Sequence, residues 1–334
     1  MVKTTKELWN SYPLRNALPD WRIRWQPSAP EALTQAYRQY YRLPDVEAGQ
    51  HRMGKLESAG FDIALQYWTC PDAVANLILV HGYYDHVGLY GSLIGFCRAQ
   101  RLNLVAFDLP GHGLSSGEAA RIDDFDQYET VFADVFQQAK QQLPALPWLA
   151  AGQSTGGAIL ASYLLKRHPV AGQSGPLLVW LLAPLLRPAG WRSGRWIHTL
   201  VHRFVARVPR RFVLNGNNRV FAEFVASSDP LQSRYLSVHW VTALKRWLGW
   251  IERRSPFDYP VRMIQGTADQ TVDWRYNIPA YQRLFPALML SRIVGAHHHL
   301  VNESPERLGN VYEVMRSDLS AVLAAQETAS KTGQ

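Results

Sequence analysis

Gly152-Gln153-Ser154-Thr155-Gly156-Gly157 is the stretch that decides how this chain of 334 residues folds. It follows the apolar run Trp148-Leu149-Ala150-Ala151 and precedes a helical pattern from Ala158 to Arg167. Gly-x-Ser-x-Gly between a strand and a helix is the pattern of a nucleophile elbow. Such a turn holds its serine in a strained backbone conformation, with the hydroxyl clear of the sheet edge. Gly152 and Gly156 flank Ser154 because a side chain at either place would clash where strand and helix approach. The helix beginning under Ser154 turns free N–H groups and a positive dipole end toward developing negative charge.

A serine used as a nucleophile needs a base, and the base needs an orienting acid. Downstream, Val261 to Gly266 reads as a short strand, with Asp269 and Asp273 in the loop beyond it. Leu288 to Val294 reads as another strand, running into Gly295-Ala296-His297-His298-His299. Loops that follow the strands of a parallel sheet open at one edge, so separation along the chain does not prevent these groups from meeting. Plainer roles exist for some of them. An Asp after a strand is often a turn or cap residue, which suits Asp273 ahead of Trp274. Three adjacent histidines suggest a metal, but neighbours on one loop do not easily ligate a single ion. No Cys or second His cluster lies nearby, so neither metal nor organic cofactor is expected.

With these residues in place, the chain resembles the alpha/beta-hydrolase superfamily, in particular its monoacylglycerol lipase and lysophospholipase branch. The resemblance runs from about residue 55 to about residue 325 and rests on four motifs. They are His81-Gly82-Tyr83-Tyr84-Asp85-His86, Phe107-Asp108 through Gly111-His112-Gly113 to Gly117, the Ser154 turn, and Gly295-Ala296-His297-His298 through Asn302-Glu303. The register of the last motif in that branch implies His298 as the general base, and the Gly-x-x-Asp loop implies Asp269 as the acid. Oxyanion donors would be the backbone N–H groups of Tyr83 and Thr155. The branch often carries His and Met around its nucleophile, where this chain has Gln153 and Thr155, so the local pocket is expected to be more polar. His86 and His112 are expected to support loops.

Length and composition agree with one large core. The chain is 47% hydrophobic with a net charge of +8, enough for one domain with an insertion. Cys70 and Cys97 are the only cysteines, so no disulfide framework is indicated. The first ten residues carry no signal-peptide apolar run. Leu177 to Leu186 is about half a membrane span and contains Pro184. A cytoplasmic protein is expected, peripheral on the inner membrane surface at most. Strands alternate with helices, predicting an α/β, alpha/beta-hydrolase fold: a mainly parallel central sheet, helices on both faces and an inserted helical cap. The divisions expected are a helical extension over 1–50, a core over 51–186 and 256–328, and a cap over 187–255.

The cap holds the basic charge. Residues 187–254 contain thirteen Lys and Arg against three acids, a net +10, which leaves −2 for the rest of the chain. Within it, Arg195 to Val208 has helical period, with Trp196, Ile197, Leu200, Val201, Phe204, Val205 and Val208 on one face. That face either packs on the body or lies on an anionic membrane, with Arg203, Arg207, Arg210 and Arg211 as basic contacts. Trp196, Phe204 and Trp247 are the cap residues expected at the substrate. Basic charge also suits nucleic acid, but no nucleic-acid motif is present and no such partner is expected.

The reaction these residues suggest is hydrolysis of a single-chain lipid ester, lysophospholipid or monoacylglycerol, through an acyl-enzyme. Short-chain carboxylesterase and acyltransferase chemistry suit the same fold, and a ligand-binding receptor with an idle triad is the rival of another class.

Overall fold

The computed structural model describes residues 9–21, 28–210, 212 and 216–332. Most of the first ten residues, on which the leader expectation rests, and Arg211 lie outside this set.

Eight strands form one sheet: β1 (His51–Ser58), β2 (Phe61–Trp68), β3 (Ala75–Val80), β4 (Leu102–Phe107), β5 (Trp148–Gln153), β6 (Leu178–Leu182), β9 (Val261–Gly266) and β10 (Met289–Ile293). β7 (Arg207–Pro209) and β8 (Tyr235–Ser237) pair separately as a small antiparallel ribbon. The large sheet has the order β1-β2-β4-β3-β5-β6-β9-β10. β1 and β2 are a hairpin, β2 meets β4 antiparallel, and every later pairing is parallel. Every residue of β3, β4, β5 and β6 is buried, as expected for parallel strands covered on both faces.

The helices are α1 (Tyr12–Asn16), α2 (Glu31–Tyr41), α3 (Gly91–Ala99), α4 (Phe125–Gln142), α5 (Thr155–Arg167), α6 (Trp191–Val201), α7 (Arg219–Ser227), α8 (Val238–Ile251), α9 (Trp274–Leu284) and α10 (Pro305–Thr332). They divide into two apolar layers. One holds Phe132 of α4, Ile159 of α5, Leu244 of α8 and Tyr281 of α9. The other holds Tyr37 of α2, Leu93 of α3 and Met315 of α10. Local signals start several helices. Asp124 and Gln127 form a capping box on α4, and Asp273 accepts from Tyr276 N at the start of α9. α10 opens with proline at its first position. Trp180 of β6 donates to Asp318 of α10 at 3.0 Å, and Arg262 of β9 donates to the same carboxylate at 2.9 Å. The long last helix is thereby tied to two central strands.

Between β6 and β9 the chain leaves the sheet and forms α6, β7, α7, β8 and α8. The helical period seen from Arg195 to Val208 is shifted here: α6 begins at Trp191 and ends at Val201, and Val208 belongs to β7. This segment meets the N-terminal part of the chain. Tyr41 of α2 donates to Asp229 Oδ1 at 2.9 Å, while His86 Nε2 bonds the other oxygen at 2.9 Å. Tyr40 donates to the carbonyl of Ser228. Among the described residues no helix is long and apolar enough to cross a membrane.

Candidate active site

Ser154 sits between β5 and α5 with φ 53° and ψ −111°. That backbone conformation is costly for a residue with a Cβ and survives only where its surroundings enforce it. Packing enforces it here. A Cβ on Gly152 would lie 2.5 Å from the Gly156 backbone, and one on Gly156 would lie 2.0 Å from the Val80 carbonyl. Ser154 N donates to Leu182 O at 2.9 Å, fixing the turn to the neighbouring strand.

Asp269 and His298 meet. His298 Nδ1 donates to Asp269 Oδ2 at 2.8 Å. The same carboxylate accepts from Gln265 Nε2 at 2.9 Å, Thr271 N at 2.8 Å and Val272 N at 3.1 Å. Burial alone would raise the Asp269 pKa. The neighbouring His298, its hydrogen bond and the two amides outweigh burial and hold it below its ordinary value. With Nδ1 committed to the carboxylate, Nε2 is the imidazole nitrogen left to accept a proton. Gln153 Nε2 donates to His298 O at 2.8 Å, so the residue before the serine also fixes the histidine loop.

The two neighbouring histidines are engaged elsewhere. His297 Nδ1 lies 3.0 Å from Asn217 Nδ2, and Glu303 accepts from His297 N and Asn217 Nδ2. His299 Nε2 lies 3.0 Å from Asp85 Oδ2, and its Nδ1 accepts from Asn302 Nδ2 at 3.1 Å. Asp85 also accepts from Tyr90 OH at 2.8 Å, and Tyr90 OH accepts from Gly82 N at 3.1 Å. A chain of bonds thus runs from His299 to the loop carrying Tyr83. Asp273 is a helix cap, as described above. His86 bonds Asp229, and His112 Nδ1 meets Pro110 O at 2.9 Å.

Ser154, His298, Tyr83 and Thr155 line one cavity of about 660 Å³. Among the described residues the Tyr83 and Thr155 N–H groups donate to no other backbone group. Ser154 Oγ makes no hydrogen bond with His298 here, although both side chains face the cavity. A hydroxyl–imidazole contact of this kind often tightens only when substrate binds.

The cap residues at this cavity differ from those expected. Trp196 and Phe204 are 64% and 87% exposed and do not line it. The helix turns the opposite side, Trp191, Gly194 and Ile197, toward the space. Trp247 is buried below the cavity, stacked on Phe125 at 5.1 Å and donating to Ser162 Oγ at 2.7 Å. Leu244 and Trp240, one and two turns earlier in α8, form the wall instead, and Trp240 stacks on Tyr83 at 3.9 Å. Arg210, expected on the outer basic face, lines the cavity. Periodicity grouped Ile197 with Trp196 and Phe204, but α6 ends at Val201 and Ile197 alone of the three lines the cavity. Gln153 and Asp85 lie within quoted motifs but were not read as partners of the histidine loop, and Gln265 had no signal beyond its place before Gly266.

A mainly parallel eight-stranded sheet with a strained serine between a strand and a helix is the architecture of an α/β-hydrolase. The chain belongs to the hydrolase family described as "Serine aminopeptidase, S33", which it matches over residues 71–305. It is similar to the monoglyceride lipase of Mus musculus, 27% identical over 271 residues, 78% of this chain and 87% of that protein. The Homo sapiens monoglyceride lipase is 27% identical over 279 residues, 79% of this chain and 89% of that one. In fold it is similar to a soluble variant of monoglyceride lipase from Saccharomyces cerevisiae, solved with a substrate analogue. That match has a TM-score of 0.69, 18% identity, and covers 84% of this chain and 97% of that one. The monoacylglycerol lipase of Paleococcus ferrophilus gives 0.65 at 18% identity, over 78% and 98%.

Proposed function

We propose that the protein is a serine hydrolase that cleaves single-chain lipid esters through an acyl-enzyme. The observation that carries this is Ser154, strained at the head of α5 and sharing a cavity with the His298–Asp269 pair. Ser154 Oγ attacks the ester carbonyl, and His298 Nε2 takes its proton and returns it to the leaving alcohol. Asp269 holds the imidazole tautomer and stabilises the imidazolium. The N–H groups of Tyr83 and Thr155 receive the oxyanion, and water then releases the acid. The apolar walls from Leu185, Trp191, Ile197, Val225 and Leu244 suit an acyl chain and distinguish this reading from a short-chain esterase. Similarity to the monoglyceride lipases supports the same substrate class. Labelling with a fluorophosphonate tests it: the wild type should be modified at Ser154 and lose turnover of long-chain monoacyl esters in proportion. Rapid ester turnover by a fully labelled protein would refute the assignment.

The segment over 187–255 is proposed as the lid, and its outer face as a contact for anionic membrane. Trp196, Leu200 and Phe204 are exposed together, with Arg192, Arg195, Arg203 and Arg207 exposed around them. Apolar side chains ringed by arginine suit the headgroup boundary of a bilayer.

A further inference from the structure

Most polar groups on the cavity wall are already committed. His298 is bonded to Asp269, and His299 to Asp85. Arg210, just after β7, is an exception. Its guanidinium carbon lies 3.9 Å from the Tyr84 ring centroid and 4.5 Å from that of Phe212. Nη1 donates to Gln232 Oε1 at 2.7 Å and to Ser233 O at 3.5 Å. Among the described residues no carboxylate pairs with it, and its Nε and Nη2 donate to no protein group. Two other arginines of the segment are paired: Arg187 reaches Glu252 at 2.6 Å, and Arg246 reaches Asp124 at 3.6 Å. Burial pulls the Arg210 pKa below its ordinary value, so the cation is short of solvation where it stands. A guanidinium packed against two aromatic rings with one edge free is preorganised for bidentate contact with an anion.

Its position indicates which end of a substrate would supply that anion. Tyr84 follows Tyr83, so one aromatic ring separates the guanidinium from the loop bearing the proposed oxyanion donor. An acid released by hydrolysis carries its carboxylate at Ser154, where the ester carbonyl was. A phosphate on the alcohol portion, a glycerol unit away from that carbonyl, brings charge to the wall beyond it. Resting on the ester-hydrolase reading above, we infer that Arg210 seats an anionic headgroup. The site then takes single-chain esters whose alcohol carries a phosphate in preference to neutral monoacylglycerols.

Two measurements on the full chain test this. The first compares kcat/KM for a 1-acyl lysophosphatidylglycerol and a 1-monoacylglycerol of equal chain length, in the wild type, Arg210→Gln and Arg210→Lys. The wild type should favour the phosphate ester. Arg210→Gln should lower the ratio of the two by about 10–100-fold, and Arg210→Lys by less, as expected for loss of a charge-assisted pair. A wild type without preference, or an unchanged ratio in Arg210→Gln, overturns the inference. The second needs no turnover: dodecyl phosphate and 1-O-dodecylglycerol are titrated into Ser154→Ala, with and without Arg210→Gln, and read by tryptophan fluorescence. Tighter binding of the phosphate that disappears with Arg210→Gln supports the subsite, and equal binding refutes it. Inorganic phosphate that competes as well as dodecyl phosphate would make the ligand free phosphate and refute the headgroup assignment. Ester turnover that survives Ser154→Ala would sink the hydrolase reading, while the binding comparison still decides the subsite.

Discussion

The sheet and the segment over 187–255 are built on different terms. The central strands are apolar at almost every position and buried throughout, and their loops converge on Ser154, Asp269 and His298. The intervening segment turns apolar residues both inward and outward, and its basic charge contrasts with a nearly neutral remainder. Under the proposed function, reaction chemistry falls to the sheet and its loops, and recognition of the substrate and its surroundings to the segment over 187–255. Sites on packed elements hold geometry better than sites on mobile ones.

The largest effect should come from the sheet and its loops. Ser154→Ala and His298→Ala should each lower ester turnover by about four orders of magnitude or more, with Asp269→Asn of similar size. Asp273→Asn, His297→Ala and His299→Ala should cost far less, as p-nitrophenyl ester kinetics would show. If His297→Ala or His299→Ala is dead while His298→Ala is active, the pairing with Asp269 is not the catalytic one. Stability should divide the same way. Leu104→Ala, at a fully buried position in β4, should cost about 2–5 kcal/mol in urea denaturation. Leu200→Ala, 75% exposed on α6, should stay within about 0.5 kcal/mol. Similar costs would show that the outer face of α6 is packed in solution.

Smaller effects belong to the outer face of the segment. Binding to anionic vesicles should exceed binding to neutral ones and weaken with salt, since each basic residue near such a surface contributes about 1 kcal/mol. Trp196→Ser with Phe204→Ser, and charge reversal at Arg203 and Arg207, should each reduce that binding in sedimentation assays. Equal partition to both vesicle types would remove the electrostatic contribution. The smallest change concerns pH. Burial would raise Asp229, but His86 and nearby donors hold it below its ordinary value. Burial would lower His86, but Asp229 holds it above its own. The carboxylate's contribution is present above about pH 3.9 and fades as pH falls through the depressed native value. The imidazole's is present below about pH 6.5 and fades as pH rises through the raised native value. Hydrogen exchange in α7 should therefore quicken at both ends, and Asp229→Asn should flatten the profile.

The fold was legible because two signals coincided. Apolar runs alternating with helical patterns, such as Trp148–Ala151 before Ala158–Arg167, suit strands of a parallel sheet covered on both faces. Gly152-x-Ser154-x-Gly156 then identified the turn between β5 and α5. His298 lies in the last of the four motifs and Asp269 in the separate Gly-x-x-Asp loop, and the two side chains meet. Arg195 to Val208 was harder. Helical period put Trp196, Ile197 and Phe204 on one face, but only Ile197 of these reaches the cavity, beside Trp191 and Gly194, and Phe204 lies beyond the end of α6. Trp247 shares a helix with Trp240, but only the earlier turn reaches the cavity. Arg210 could not be told from its neighbours, because its role depends on the Tyr84 and Phe212 rings that meet it in space.

Asp229 has a consequence for anyone recombining this protein with its relatives. The segment departs after β6 and returns before β9, which invites its exchange by cutting at those two junctions. A graft made there would carry Asp229 or its replacement but leave behind Tyr41 and Tyr40, which lie before residue 71, where the family match begins. The exchangeable unit is therefore discontinuous: α2 goes with that segment rather than with the sheet. Chimeras that move α2 together with 187–255 should fold as a matched pair, whereas those that move the segment alone would leave a buried tyrosine hydroxyl facing an unfamiliar partner.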